Sequence, residues 1–269
     1  METLFHMPRE IPLRNAVQYF WQVKSDSKSF SKQIIIPKGI VEIIFNFIPE
    51  ITFNTKLNHN HFTIPKYFIQ GYHTCPFEMD MPDRQEMFGI ALHPIAVRRI
   101  LGVPAGEFAR NCIDLVGTEP SLHPLWHQLA EKEKFEERIN IFSKWLVSGL
   151  FGLTAREQAL NNLLALKTSK HLSISEISDW LCYSPRHLSR KLHELTGMNA
   201  EQTLLYLKYL KTIELMHRSN LTLSQIAHAS DFTDQSHFIR TFKLFTTMTP
   251  KEYRKKKSEI TGHYFENVR

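Results

Sequence analysis

The 269-residue sequence has few cysteines and no long hydrophobic run. Three cysteines, far apart and odd in number, argue against a disulfide framework and for a reducing compartment. The longest apolar stretch, residues 40–48, is interrupted by Glu42 and Asn46. It is much shorter than the roughly 20 residues that a membrane-spanning helix needs. The N-terminus lacks the basic-then-apolar pattern of a secretory signal. These absences predict a soluble cytoplasmic protein.

The sequence also lacks the short motifs that indicate most enzymes. It has no Gly-rich phosphate loop, no GxSxG and no CxxC. His59 and His61 could suggest a metal-binding barrel, but no carboxylate follows them at a short distance and no third ligand is evident. Cys75 could be a reactive thiol, although a buried structural cysteine is the simpler interpretation. We therefore predict no catalytic residue, no metal site and no cofactor.

Charge is distributed unevenly along the chain. Residues 1–164 contain 17 basic and 17 acidic residues, whereas residues 165–269 contain 16 basic and 10 acidic ones. The whole formal charge of +6 therefore lies in the last 105 residues. A neutral part followed by a basic part suggests that the second one meets a polyanion, most often nucleic acid. A merely basic solvated surface is the alternative.

The N-terminal part is predicted to be rich in short strands. From Pro37 to Ile90, the β-branched and aromatic segments IVEIIFNFI, ITF, HFTI, YFIQGY and EMFGIAL are separated by turn residues, which is typical of a small barrel or sandwich. Glu42 and Asn46 fall on one face of the first of these strands, where they could line an effector pocket or face solvent.

Helices are predicted after the strands. His93-Pro94 begins a helix that Gly102 should end, and Thr154 with Glu157 forms a capping box. Helices over 122–130 and 135–150 carry an apolar stripe. This stripe could pair with a second copy of the chain, or it could pack on the sheet of the same N-terminal part. The boundary falls near 165–172, and beyond it no convincing strand is found. The predicted fold class is α+β with two domains: 1–164, β-rich with a helical extension, for effector binding or dimerisation, and 165–269, all-α, for DNA binding.

The C-terminal part contains an internal repeat. Residues 172–198 align with residues 221–248 at an offset of 49, which becomes 50 after one extra residue in the second turn. Each copy predicts a short helix capped by serine (Ser175 or Ser224), a turn with one aromatic, and a second helix with Leu or Phe spaced by four. Two helices joined by a tight turn, the second basic on its outer face, form a helix-turn-helix.

The strings SPRHLSR, LTGM, DQSHFIRTFK and TPKEYR, in this order and spacing, resemble the DNA-binding domain of the AraC/XylS family of bacterial transcription regulators. The resemblance covers about residues 165–257. It implies seven helices in two helix-turn-helix subdomains joined by a linker helix at about 200–217. Asp231 and Thr247 stand where the family usually has glycine, and Asp231 tolerates the left-handed conformation better than most residues. The segments IIIPKGIVEIIFNF, FIQGY, GIALHPIAVRRILGVPAGEF and IDLVG resemble a β-rich module found on some AraC-type regulators.

The two second helices of the repeat are the predicted recognition helices. Leu188, Leu192 and Leu195 should pack inward in the first, and Phe238, Phe242 and Phe245 in the second. The outer positions match the family's base-contacting ones, and arginine can donate two hydrogen bonds to guanine. Ile239 could contact a thymine methyl or pack between subdomains. The candidate base-contacting residues are Arg186, His187, Ser189, Arg190, Gln235, Ser236, His237, Ile239 and Arg240.

Other basic residues of the domain suit phosphate contacts, which position a protein on DNA without specifying sequence. These candidates are Lys191, Lys208, Lys211, Lys243, Lys251 and Arg254. A linker helix over residues 200–217 spans about 27 Å at about 1.5 Å per residue. This length is comparable to the roughly 34 Å between successive major grooves on one face of a duplex. One copy of the chain could therefore place both recognition helices in adjacent major grooves.

These observations predict a sequence-specific DNA-binding transcription regulator that is not an enzyme. Its N-terminal domain would sense a small-molecule effector, hold a homodimer, or both, and the resemblance implies RNA polymerase as a partner. One alternative is an enzyme or small-molecule acceptor fused to a DNA-targeting domain. Another is a DNA-binding module whose N-terminal half contacts only another protein.

Overall fold

The computed structural model describes residues 2–11, 13–26, 32–48, 54–57, 60–147, 152–166 and 173–266. Within these ranges the N-terminal part contains two antiparallel sheets, and the C-terminal part is helical apart from one strand. The predicted α+β class is therefore confirmed. None of the helices in these ranges is long and apolar enough to cross a membrane.

Eleven strands, numbered along the chain, form the two sheets within the described ranges. The first sheet has the spatial order β1 (Glu2–His6), β2 (Val17–Ser25), β9 (Gln85–Leu92), β4 (Val41–Asn46), β7 (Tyr67–Gln70) and β10 (Cys112–Asp114). The second has the order β11 (His263–Glu266), β3 (Lys32–Ile35), β8 (Phe77–Asp80), β5 (Asn54–Leu57) and β6 (Asn60–Thr63). Predicted strands at 40–48, 61–64, 67–72 and 86–92 are confirmed, whereas ITF at 51–53 lies outside the described residues.

Five helices precede the repeat in the described ranges. They are α1 (Leu13–Ala16), α2 (Pro94–Leu101), α3 (Leu122–Ala130), α4 (Phe135–Val147) and α5 (Ala155–Leu164), with a 3₁₀ turn at Ala105–Phe108. Helix α2 begins at Pro94 and ends at Gly102, whose φ of 75° glycine adopts without strain. The capping box of Thr154 and Glu157 is present at α5. Both predictions are confirmed.

The apolar stripe on α4 is buried against the chain's own first sheet. The ring of Phe142 packs edge-on against those of Phe20, Phe45 and Phe88, and Ile139 and Leu146 are also buried. This stripe faces the sheet because alternate residues of β4 point toward it with their branched and aromatic side chains. Of the two predicted alternatives for the stripe on α4, packing on the chain's own sheet is the one observed. The four residues 148–151, which include the end of the predicted helix, lie outside the described part.

Six further helices follow in the described C-terminal residues. They are α6 (Ile174–Leu181), α7 (Pro185–Thr196), α8 (Ala200–Arg218), α9 (Leu223–Ala229), α10 (Gln235–Thr246) and α11 (Pro250–Lys256). Together with α5 they make seven helices between residues 155 and 256. The predicted linker helix is α8, one residue longer than expected at its C-terminal end.

The C-terminal part returns to the second sheet through β11. Its residues pair antiparallel with β3, so that His263 lies opposite Ile35 and Glu266 opposite Lys32. The expectation that no strand follows the helical part is therefore wrong. The segment HYFE is too short for its alternation to be recognised, and β3 lies more than two hundred residues earlier.

Helix α8 is also hydrogen-bonded to the N-terminal part. The Tyr206 hydroxyl accepts a hydrogen bond from the backbone N–H of Gly39 (2.9 Å) and donates one to the carbonyl of His73 (3.0 Å). The Tyr209 hydroxyl donates to the carbonyl of Pro37 (3.0 Å). Both tyrosines are at most 1% exposed. The two parts therefore share one continuous core around this helix.

Candidate DNA-binding surface

The sequence repeat folds as two helix-turn-helix units, α6–α7 and α9–α10, joined by α8. The first helix of each unit is capped by Ser173 or Thr222, and both caps are capping boxes. The predicted caps, Ser175 and Ser224, are wrong by two residues. Ser173 with Glu176, and Thr222 with Gln225, have the three-residue spacing in which each side chain satisfies a free backbone N–H of the other residue.

Left-handed residues occupy matching positions in the two units. Cys182 and Asp231 have φ of 52° and 59° in the turns, and Gly197 and Thr247 have φ of 73° and 62° after the second helices. The expectation that Asp231 adopts this conformation is confirmed. Cβ collides with the backbone there, which costs a non-glycine residue about 1–2 kcal/mol. The second unit therefore carries strain at two sites.

We expect Thr247→Gly to raise the free energy of unfolding by about 1 kcal/mol, because relief of the left-handed strain exceeds the added flexibility of glycine in the unfolded chain. Asp231→Gly should give a smaller gain, since aspartate tolerates this conformation. Urea unfolding followed by circular dichroism measures both. Thr233→Gly in the same turn is the control, since φ is not positive there. It should be neutral or destabilising, and an equal gain at Thr233 would contradict the explanation.

The inward faces of the recognition helices match the prediction. Leu188, Leu192 and Leu195 of α7 are buried with Ile177 and Leu181 of α6. Phe238, Phe242 and Phe245 of α10 are also buried. This packing presents the opposite face of each helix to solvent. Arg186, His187 and Arg190 of α7 are exposed there, as are Gln235, Ser236 and Arg240 of α10.

The arginines on this face are available to a ligand. Within the described residues, the guanidinium groups of Arg186, Arg190 and Arg240 make no ion pair or hydrogen bond. Ser189 is half-buried, and its Oγ accepts a hydrogen bond from Ala200 N–H at 3.3 Å. Ile239 is also half-buried and packs against the core. Arg186, Arg190 and Arg240 are thus exposed on this face and unpaired within the described residues.

The two histidines of the candidate set pack on the aromatic residue of the preceding turn. The rings of His187 and Tyr183 stack with centroids 4.5 Å apart, and those of His237 and Phe232 meet edge-on at 5.4 Å. The repeat offset relates the two pairs, so this packing is part of the shared plan. These histidines therefore support the turn that begins each recognition helix. The sequence repeat aligned them without indicating this contact.

The lysines and the arginine predicted to contact phosphate fall into three groups. Lys243 and Lys251 are exposed. Lys191 and Lys211 pair with glutamates three residues later on their own helices. Lys208 and Arg254 donate hydrogen bonds to the carbonyls of Asp231 and Leu221, at 2.8 and 2.9 Å, and so tie α8 and α11 to the second unit.

The C-terminal end of α7 packs closely on the 3₁₀ turn. A Cβ added to Gly106 would lie 2.3 Å from the carbonyl oxygen of His193, and one added to Gly197 would lie 2.5 Å from Cβ of Ala109. Because only glycines allow this approach, the first helix-turn-helix unit contacts the N-terminal part through the C-terminal end of α7. The face of α7 that carries Arg186 and Arg190 remains exposed.

The N-terminal candidates are placed apart from this surface. Glu42 lines a cavity between the sheets, whereas Asn46 is buried and does not line that cavity; its Oδ1 accepts from Ile48 N–H. Cys75 is half-buried, not fully buried. The side chains of His59 and His61 lie outside the described part. Among described side chains, no three His, Cys, Asp or Glu residues cluster as metal ligands.

Two helix-turn-helix units in tandem, with exposed arginines on their second helices, define a DNA-binding domain of the double helix-turn-helix class. Residues 177–256 match a family model described as a helix-turn-helix domain, and residues 5–114 match a domain of unknown function, DUF6597. The chain therefore carries an AraC-type helix-turn-helix domain preceded by a DUF6597 module.

Curated relatives resemble the C-terminal part. An uncharacterized HTH-type transcriptional regulator of Staphylococcus aureus is 33% identical over 104 residues, which cover 36% of this chain and 13% of the relative. The HTH-type transcriptional activator RhaS of Pectobacterium carotovorum is 30% identical over 97 residues, covering 36% of this chain and 35% of RhaS. The chain thus spans only about a third or less of these relatives' lengths.

A solved structure resembles the whole architecture. ToxT from Vibrio cholerae aligns with a TM-score of 0.50 and 13% identity, over 88% of this chain and 98% of ToxT. This likeness supports the two-part fold, with a β-rich region before a helical one.

Proposed function

We propose that the protein is a transcription regulator that reads DNA sequence with α7 and α10. The observation that carries this proposal is that Arg190 and Arg240 lie at equivalent positions of the two recognition helices. Both are exposed, and neither is paired within the described residues. The 19 residues of α8 span about 28 Å, which suits adjacent major grooves on one face of a duplex. Arg186, Gln235 and Ser236 complete the proposed base-reading set, and exposed Lys243 and Lys251 contact phosphates.

The test measures binding to the DNA upstream of the protein's own gene and to a scrambled duplex across a salt series. Arg190→Ala and Arg240→Ala should each narrow the difference in affinity between the two DNAs by about 1–3 kcal/mol, because each removes a bidentate contact to guanine. Lys243→Ala should weaken binding to both DNAs and reduce the salt slope by about 1. Arg84→Ala, an exposed arginine of the N-terminal part, is the matched control.

Three outcomes limit the proposal. If only Arg190→Ala reduces the difference, the second unit acts as a phosphate clamp. If Arg84→Ala has the same effect as the two recognition-helix variants, bulk charge explains binding. If the protein binds the upstream DNA and the scrambled duplex equally at every salt concentration, sequence-specific regulation through this DNA is contradicted. A genome-wide search for binding sites would then be the next experiment.

We further infer that the N-terminal module binds the small-molecule effector and so receives the regulatory signal. The cavity between its sheets is also lined by α8 and β11, so an occupant would touch the element that joins the two helix-turn-helix units. Cytoplasmic location, a homodimer and RNA polymerase as a partner remain predictions. None of the described residues gives an observation that favours the alternative of an enzyme fused to a DNA-targeting domain.

A further inference from the structure

The cavity between the sheets has a volume of about 1230 Å³, which is large for a small-molecule site. Its walls are mostly apolar. The first sheet contributes Trp21, Ile44, Phe68 and Met87, and the second contributes Phe77 and Met79. The indole of Trp21 lies over Gly89, where a Cβ would approach the ring to 2.1 Å. Such walls suit the body of an apolar or aromatic molecule.

The imidazole of His73 lines this cavity. It is 8% exposed, and neither ring nitrogen has a hydrogen-bond partner within the described residues. Burial, with a smaller effect of Lys38, lowers the pKa of His73 to about 3. The ring is therefore neutral at pH 7 and has one N–H donor and one nitrogen acceptor. A buried polar group left in this state costs free energy that a hydrogen-bonding occupant would recover.

Charges lining the cavity are balanced. Three are cationic and three are anionic: Arg14, Lys38, Arg218, Glu42, Glu214 and Glu259. The Lys38 ammonium lies 3.4 Å from the Glu42 carboxylate, which also accepts a hydrogen bond from Trp21 Nε1 at 2.8 Å. Arg218 pairs with Glu214 at 3.2 Å. Arg14 and Glu259 make no ion pair within the described residues, but both are exposed. At the buried Lys38–Glu42 pair, a charged head group would therefore approach a group of its own sign beside the attractive one, and it would lose its hydration next to a counter-ion that is already paired.

We propose that this cavity binds a neutral, largely apolar small molecule whose single polar group both donates and accepts a hydrogen bond, such as a phenol or an alcohol, with that group at His73. This inference rests on the proposed function in treating the module as the signal-receiving part. The backbone carbonyl of His73 accepts from Tyr206 of α8, so the occupant's anchor is also an attachment point of the DNA-binding half.

The test is isothermal titration of the full-length protein with three probes that share one apolar body: 4-butylphenol, 4-butylbenzoate and 4-butylbenzylammonium. At pH 7 the first is neutral and the others carry opposite charges. We expect the phenol to bind at least about tenfold more tightly than either ion. Ile44→Trp should weaken phenol binding by narrowing the cavity at its apolar wall.

His73→Phe should weaken phenol binding about three- to tenfold, the loss expected for one neutral hydrogen bond. His228→Phe, on the exposed side of α9, is the matched control and should change nothing. Equal or tighter binding of either ion overturns the inference. So does unchanged phenol affinity in His73→Phe, or no binding of any probe up to about 1 mM.

DNA binding of the same samples without probe separates the two proposals and confirms that each variant is folded. Selective DNA binding without probe binding overturns the ligand class alone. Probe binding by a protein with no DNA preference supports the cavity and contradicts the regulator.

Discussion

Arg138→Met is expected to lower the free energy of unfolding by about 3 kcal/mol. Arg138 lies on α4 and is 1% exposed. Its guanidinium donates to the Glu86 carboxylate (2.6 Å), to Oε1 of Gln22 (2.7 Å) and to the Leu129 carbonyl (3.1 Å), and it lies over the ring of Phe47. Methionine preserves much of the volume but leaves three acceptors without this donor. The expected loss is at the lower end for a buried ion pair because Lys24 continues to pair with Glu86.

Urea unfolding at neutral pH measures this loss, with Arg84→Met as the control. Arg84 forms an exposed pair with Asp26 at 3.9 Å, and such pairs contribute about 0–1 kcal/mol. A loss in Arg138→Met no larger than that of the control would contradict the role assigned to the buried guanidinium.

The pair of Arg138 and Glu86 also predicts how stability depends on acidic pH. Burial raises the pKa of Glu86, but hydrogen bonds from Lys24 and Arg138 outweigh it and hold the pKa below its usual value. A carboxylate whose pKa is lower in the folded state stabilises the protein at pH values above its pKa in the unfolded chain. This contribution is lost as the pH falls through the folded-state pKa. The wild-type protein should therefore lose more stability than Arg138→Met between about pH 5 and pH 3. Parallel stability curves over this range would be evidence against the coupling.

The second large effect is expected where α8 meets the N-terminal part. Replacing both Tyr206 and Tyr209 by phenylalanine removes two buried hydroxyls and leaves the N–H of Gly39 and the carbonyls of His73 and Pro37 unpaired. Because each buried group without a partner costs about 1–3 kcal/mol, the double variant should be destabilised by about 3 kcal/mol or more.

Urea unfolding followed by both tryptophan fluorescence and circular dichroism tests this double variant. Non-coincident transitions would show that the two parts no longer unfold as one cooperative unit. The control is Tyr183→Phe, a half-buried tyrosine of the first turn whose hydroxyl makes no hydrogen bond within the described residues. Destabilisation no greater than in Tyr183→Phe would show that packing, not these hydroxyls, joins the parts.

The parts of the fold that depend on local spacing could be predicted from the sequence. The second helices of the repeat follow from Leu or Phe every four residues, and α2 from Pro94 and Gly102. The predicted caps are wrong by two residues because several serines and threonines near each helix start fit the cap preference equally well. The partner at the third helical position decides between them.

Other features depend on partners distant in sequence. Arg138 resembles any charged residue of an amphipathic helix, and only the sheet supplies Gln22 and Glu86 to bury it. His73 follows a strand with no pattern that marks it as a cavity residue. The apolar stripe on α4 follows from its residue spacing, but periodicity cannot tell whether a helix face packs on its own sheet or on another molecule.

The pairing of β11 with β3 has a consequence for synthesis. Because the partner strand of β3 is synthesised only after both helix-turn-helix units, the second sheet cannot be completed until residues 263–266 have left the ribosome. Pairings so distant in sequence form slowly, and an unpaired edge is exposed to wrong partners in the meantime. Strand β3 has only four residues, beginning with Lys32, and short edge strands that carry a lysine resist such pairing. A nascent chain stalled before residue 263 should therefore expose a sheet edge to chaperones and proteases that the finished protein hides.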